Sequence, residues 1–332
     1  MQLGRPERPS AVACAHAGAH SAVVQVLSYP AGMRLGFKTA PQRVDWPTLD
    51  AIWGLAGETD VFDSAWTFDH LYPVDGDGAC FEGWTTLALL AHRVPDKQIG
   101  HLVLANPYRH PGLVAKMATT MDHATNGQFV LGLGAGWHEP ETSAYGLRLD
   151  PIPVRLRELE AALRVIRALF GPDAAAWPAA GGQSSSEVGG ATLDAPPYQL
   201  KHARNDPPPL TRGGPPIWLG TQGERVGMRL VATYADGWNF SGGTVPEFAD
   251  KLEALDRACE AAGRDRKTVE VSVQRRVGTN PEERRAALEY GREVARQGCE
   301  HLVLYFDPRS GPEGLSILVD QVARPLRDEF GA

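Results

Sequence analysis

The fold turns on Gln98-Ile-Gly-His-Leu-Val-Leu-Ala105, Pro111-Gly-Leu-Val-Ala-Lys-Met-Ala-Thr-Thr-Met-Asp-His-Ala124 and Phe129-Val-Leu-Gly-Leu-Gly134. The first and third segments are apolar runs of strand length. The middle one has helical spacing and opens on proline, which suits a helix start. The alternation continues in both directions. Before it stand a strand at Arg34–Lys38, a helix at Trp46–Glu58, a strand at Val61–Phe68 and a helix at Phe81–Arg93. After it, Arg155–Phe170 carries Leu156, Leu159, Leu163, Ile166 and Leu169 on one helical stripe. Strands at Ile217–Leu219, Gly237–Phe240, Val269–Gln274 and His301–Phe306 then alternate with helices at Glu224–Tyr234, Pro246–Ala262, Pro281–Arg296 and Pro312–Phe330. Eight strands and eight helices predict an α/β fold, a (β/α)8 TIM barrel. A doubly wound open sheet usually offers a glycine-rich turn after its first strand. Here Thr39-Ala-Pro-Gln42 follows, without G-x-G-x-x-G.

The 332 residues suffice for one such domain, and 43% of them are hydrophobic. The formal net charge of -7, with no basic run, argues against nucleic-acid binding. No apolar run is long enough to cross a bilayer. Cys14, Cys80, Cys259 and Cys299 are too widely spaced for a zinc cluster or a redox pair, so no metal is expected and a cytoplasmic setting is. Residues 1–32 are rich in Ala, Pro, His and Ser without periodicity. They read as a disordered leader or as sequence upstream of a functional start at Met33, with 33–332 a single domain. Gly171 to Pro215 reads as a surface insertion after the fourth helix, because the alternation resumes behind it.

A barrel carries chemistry where its strands end. The second strand ends in Asp69 and His70, and a histidine there can move a proton near neutral pH. The third runs into Asn106-Pro107, with His110 reading as a turn or cap residue. The fourth ends Gly132-Leu-Gly-Ala-Gly-Trp-His-Glu139, where Gly134 and Gly136 allow close approach and Trp137 and His138 reach the mouth. Gly220-Thr-Gln-Gly223 before a helix, with Ser241 and Gly242 after the sixth strand, is a candidate phosphate cradle.

Asn106-Pro-Tyr-Arg-His-Pro111, Asn126 through Glu139, Ala144-Tyr-Gly146, Pro215-Pro-Ile-Trp-Leu-Gly220 and Tyr234-Ala-Asp-Gly-Trp-Asn239 together resemble the luciferase-like monooxygenase superfamily, most closely its coenzyme F420-dependent branch. The resemblance covers about Met33 to the C-terminus. It implies a barrel with an insertion and hydride transfer between the deazaflavin and a small-molecule substrate. Asp69 then lies by the cofactor and His70 handles a proton. A non-proline cis peptide near Val103-Leu104 backs the ring, with Ala105 beside it and Asn106 at its edge. Gly134, Gly136 and Trp137 join the cofactor site, while Gly220, Thr221, Gln222, Gly223, Ser241 and Gly242 contact the cofactor tail. Substrate meets Trp66, Trp137 and His138. A homodimer is implied. Where some relatives carry a glutamate after G-x-G, this chain has Trp137, with Glu139 two residues later, which favours an apolar or aromatic-stacked substrate over a sugar phosphate. The same family allows FMN with a partner flavin reductase, as a two-component monooxygenase. A non-catalytic flavin- or ligand-binding barrel is the reading from another class.

Overall fold

A computed structural model describes residues 32–171 and 190–331. The chain runs β1 (Arg34–Thr39), α1 (Trp46–Glu58), β2 (Ser64–Thr67), α2 (Gly83–Leu90), β3 (Gln98–His101), β4 (Leu104–Ala105), α3 (Pro111–Ala124) and β5 (Phe129–Gly134). It continues with α4 (Glu139–Ala144), α5 (Ile152–Phe170), β6 (Ala191–Ala195), β7 (Tyr198–Ala203), β8 (Ile217–Gly220), α6 (Val226–Tyr234) and β9 (Gly237–Phe240). The last elements are α7 (Val245–Ala261), β10 (Glu270–Arg276), α8 (Pro281–Arg296), β11 (His301–Phe306), α9 (Gly311–Leu318) and α10 (Arg324–Phe330). A π-helical turn, Val319–Ala323, joins α9 to α10. The strands pair in parallel around a closed ring, β1–β2–β3–β5–β8–β9–β10–β11 and back to β1, with β4 extending β3 along β5.

The expected barrel is therefore present. Its third strand is interrupted between β3 and β4, and the Leu102–Val103 peptide there is cis, one residue before the expected place. The insertion holds an antiparallel hairpin, β6–β7, which its Gly/Pro/Ser-rich composition hid. The remainder of that region, 172–189, and leader positions 1–31 lie outside the described residues.

Strand side chains alternate between the two faces. On β1, Leu35 and Phe37 join the apolar layer beneath the helices, while Arg34, Gly36 and Lys38 are the other face. Inside the barrel Arg34 meets Glu270 at 3.0 Å and Gln98 at 3.0 Å. Above them Trp66 stacks on Trp218, with ring centroids 4.9 Å apart, and its indole N–H donates to Ser64 Oγ. Glycines make room for these rings: a Cβ on Gly36 would sit 2.9 Å from the Trp66 indole nitrogen.

Gly132 is the tightest such position beside the site, since a Cβ there would overlap the His101 carbonyl. Backbone cannot rotate away as a side chain can, so Gly132→Ala is expected to cost roughly 3 kcal/mol. Gly54, within α1, has nothing within 4 Å of its missing Cβ, and Gly54→Ala is expected to stabilise by about 0.5–1 kcal/mol. Urea midpoints compare the two. Equal midpoints would remove close approach as the reason for glycine at 132.

Candidate active site

At the C-terminal end of the strands lies a cavity of about 520 Å³. Lys38, Leu102 and Gln274 line it from within the barrel, and Trp137, His138, Gln222 and Ser241 lie on the loops above. Asp69 and His70 follow directly after β2 and both line it.

His70 Nδ1 lies 2.6 Å from Oε1 of Glu141, a residue of α4 with no solvent exposure. Glu141 also accepts from Leu71 N at 2.7 Å, Tyr72 N at 3.2 Å and the Tyr108 hydroxyl. These four donors match the lone pairs a carboxylate offers. Burial pushes the Glu141 carboxyl up, but the hydrogen bonds from Tyr108, Leu71 and His70 outweigh it and the net shift is downward. For His70, burial dominates and lowers its pKa below 6.5, although Glu141 works to raise it. With Nδ1–H directed at Glu141, Nε2 is left to take or give a proton. Two further ring contacts frame it, since the rings of Trp137 and His138 each lie 5.6 Å away at steep angles. His70, His138 and Glu141 bring three metal-ligand atoms within 4.8 Å of one another. With the Glu141 oxygens already taken by donors, the cluster is built as a hydrogen-bonded histidine site.

Asp69 has a different job. Its oxygens receive Arg109 Nη1 at 2.7 Å and Nη2 at 2.9 Å, and Oδ2 also accepts Ala105 N at 2.9 Å. Arg109 reaches Glu82 at 2.5 Å as well. The Ala105 N–H bond ties the end of β2 to β4, whose Leu104 and Ala105 form one wall of the cavity, and the bidentate Arg109 pair holds Asp69 in place for it. Val103 packs between two strands: a Cβ on Gly134 would lie 2.7 Å from one Val103 methyl, and one on Gly220 2.9 Å from the other. The loops after β8 and β9 are bridged by Gln222, whose Nε2 donates to Ser241 Oγ at 3.0 Å and to the Gly242 carbonyl at 2.9 Å.

A family profile described as luciferase-like monooxygenase matches residues 53–312. The chain belongs to the luciferase-like monooxygenase family. It is 30% identical over 306 residues to a phthiodiolone/phenolphthiodiolone dimycocerosates ketoreductase of Mycobacterium bovis (strain BCG / Pasteur 1173P2), covering 81% of this chain and 75% of that protein. It is 28% identical over 254 residues to an F420-dependent glucose-6-phosphate dehydrogenase of Microbacterium testaceum (strain StLB037), covering 75% of this chain and 69% of that one. Its fold is similar to that of an F420-dependent secondary alcohol dehydrogenase in complex with an F420-acetone adduct. The TM-score is 0.70 at 16% identity, over 89% of this chain and 99% of that one.

Within this luciferase-like barrel most residues singled out from sequence meet at one cavity. Asp69, His70, Val103, Leu104, Ala105, Gly134, Gly136, Trp137, His138, Gly220, Thr221, Gln222 and Ser241 all line it. Four do not. Trp66 is fully buried, stacked on Trp218 and covered by Leu102 and Val103. The expectation that substrate meets Trp66 is corrected accordingly. Asn106 is buried and turned toward the insertion, where its Nδ2 lies 3.4 Å from the Tyr198 hydroxyl, so it does not face the cavity. Gly223 and Gly242 sit in the two bridged loops just behind the lining residues. His110 caps α3 by accepting from Gly112 N at 3.1 Å.

Glu141, Tyr108, Arg109 and Lys38 escaped the sequence reading. Glu141 stands two residues beyond Glu139, in a short helix that sequence periodicity does not signal. Lys38 did leave a trace, a charge at the end of the strand Arg34-Leu-Gly-Phe-Lys38.

Proposed function

We propose that this chain is an F420-dependent oxidoreductase that transfers a hydride between the deazaflavin C5 and a small organic substrate, with His70 moving the accompanying proton. The observation that carries the reading is the His70–Glu141 pair at the cavity. It presents a histidine of fixed orientation and lowered pKa where the strands end. The similarity to an F420-dependent dehydrogenase and to a ketoreductase supports the choice of cofactor and of a carbonyl or alcohol substrate.

A cavity of about 520 Å³ is in the range that holds a small ligand or a cofactor ring. The residues that would hold such a ring are Leu102 to Ala105 on one wall, Gly134 and Gly136 on another, and Trp137 at the rim. The Gly220–Gln222 and Ser241 loops would hold its tail. When bound, the deazaflavin supplies the hydride chemistry. Glu141 holds the neutral His70 with Nδ1 protonated. Nε2 accepts the proton of an alcohol in the oxidative direction, and the imidazolium returns it in the reductive one. Trp137 is 60% exposed, a flat apolar surface at the mouth that suits an apolar substrate.

The first test compares oxidised F420 with FMN by fluorescence quenching. Micromolar or tighter F420 binding with weak FMN binding is the expected result. FMN binding alone would make an FMN-dependent monooxygenase with a partner reductase the better reading. His70→Ala is then expected to keep F420 affinity while slowing turnover of reduced F420 with a ketone panel by roughly two to four orders of magnitude. Unaltered turnover would remove His70 from proton transfer.

A further inference from the structure

Lys38 is a cavity residue whose charge the histidine chemistry leaves without a use, and unlike Asp75 and Arg276 on the same lining it is not in an ion pair among the described residues. It lies at the end of β1, buried, with 6% exposure, and it lines the cavity. Its Nζ donates to the Leu102 carbonyl at 2.8 Å and to Gln274 Oε1 at 2.6 Å, and sits 5.2 Å from the centre of the Tyr305 ring. Both acceptors are neutral, and an ammonium has three donors. Gln274 is held in that orientation by a chain behind it. Its Nε2 donates to Asn239 Oδ1 at 2.5 Å, and Asn239 Nδ2 donates to Ser272 Oγ at 2.8 Å.

No carboxylate lies within ion-pair distance of Lys38 among the described residues. The titratable groups around the same cavity are all engaged elsewhere. Asp69 is paired with Arg109, and Asp75 with Arg43. His70, Tyr108 and His138 face Glu141, and Arg276 lies 3.9 Å from Asp307 and 5.9 Å from the centre of the Tyr305 ring. Burying an unbalanced cation is costly, and an arriving anion relieves that cost.

We propose that Lys38 is an anion-binding residue, whose ammonium takes up the negative charge of the planar ring bound in this cavity. The proposal rests on the deazaflavin reading given above. Burial lowers the Lys38 pKa to about 7, so much of the amine is neutral in the free protein at pH 8. An anion beside it favours the charged form. Binding therefore draws in a proton from solvent.

The test is calorimetric titration of the full-length protein with oxidised F420, whose ring carries an acidic hydroxyl. It is run at pH 8 in two buffers of different ionisation enthalpy. The wild type is expected to take up roughly half to one proton per F420 bound. Lys38→Met is expected to abolish that uptake and to weaken binding about tenfold. Lys38→Gln, which keeps a donor for the Leu102 carbonyl, is expected to do the same and decides the matter where the methionine variant does not fold. Wild-type binding without proton uptake would overturn the proposal whatever the variants do. Uptake retained in either variant would also overturn it, since another group then accepts the proton. Should the wild type bind FMN and not F420, the deazaflavin reading fails by itself. An anaerobic titration with reduced FMN then reads the same uptake. Binding of neither overturns both.

Discussion

Glu141→Ala is expected to cost about 3–5 kcal/mol of stability and to lower turnover at least as far as loss of His70 does. Removing the carboxylate takes the acceptor from Leu71 N and Tyr72 N, the Tyr108 hydroxyl and His70 Nδ1 in a partly buried site. Each orphaned donor costs about 1–3 kcal/mol, and partial relaxation of the loop after β2 brings the sum into that range. The conservative Glu141→Gln keeps the shape and one acceptor, so it separates charge from packing. Its carboxamide no longer raises the His70 pKa, so in the oxidative direction, where His70 must be neutral to accept the proton, the acid limb of the turnover profile is expected to move to lower pH than in the wild type. The stability comparison carries a sign as well. Glu141 has its pKa lowered by folding, so its contribution is complete above the unfolded value near 4.5 and is lost as pH falls through the folded one. The gap in urea midpoint between wild type and Glu141→Gln should be widest near pH 7 and narrow below pH 4.5. A gap independent of pH would mean that the carboxylate charge is not what the fold uses.

Arg109→Met should be nearly as damaging, at about 3–5 kcal/mol, because it leaves Asp69 buried with an uncompensated charge. Asp69 is 2% exposed, and both of its oxygens are committed to Arg109. The double variant Asp69→Asn/Arg109→Met removes both charges and is expected to lose less than the two single losses added together. Such coupling is what a double-mutant cycle measures. Urea midpoints give the stability terms. F420 affinity gives a second readout, since Asp69 also holds Ala105 N and through it the cavity wall. Additive losses would show that the pair does not act as a unit.

The two pairs differ in how far each could be read in advance. The barrel was legible because strand and helix periods alternate, and because prolines open several helices. The strand ends followed from the barrel, and with them His70, Trp137 and the loops at Gly220 and Ser241. Trp66 misled because facing the barrel interior does not by itself expose a residue to the cavity. Its register partner on β1, Lys38, lines the cavity, whereas Trp66 is covered by Trp218, Leu102 and Val103. Asn106 misled because a break of two residues, Leu102 and Val103, ends β3 and re-aims the chain toward the insertion hairpin.

What the amino-acid sequence determined by itself was periodic and local: the element order, the parallel barrel, the family motifs and the histidine at the end of the second strand. Tertiary structure decided which polar groups meet. Glu141 reaches His70 across 71 positions, Arg109 reaches Asp69 across 40, and Gln274 reaches Lys38 across 236. Local pattern carries no record of such pairings. They arise because closing the barrel brings the strand ends and the segments that follow them to one mouth, where burial makes a polar group without a hydrogen-bond partner costly.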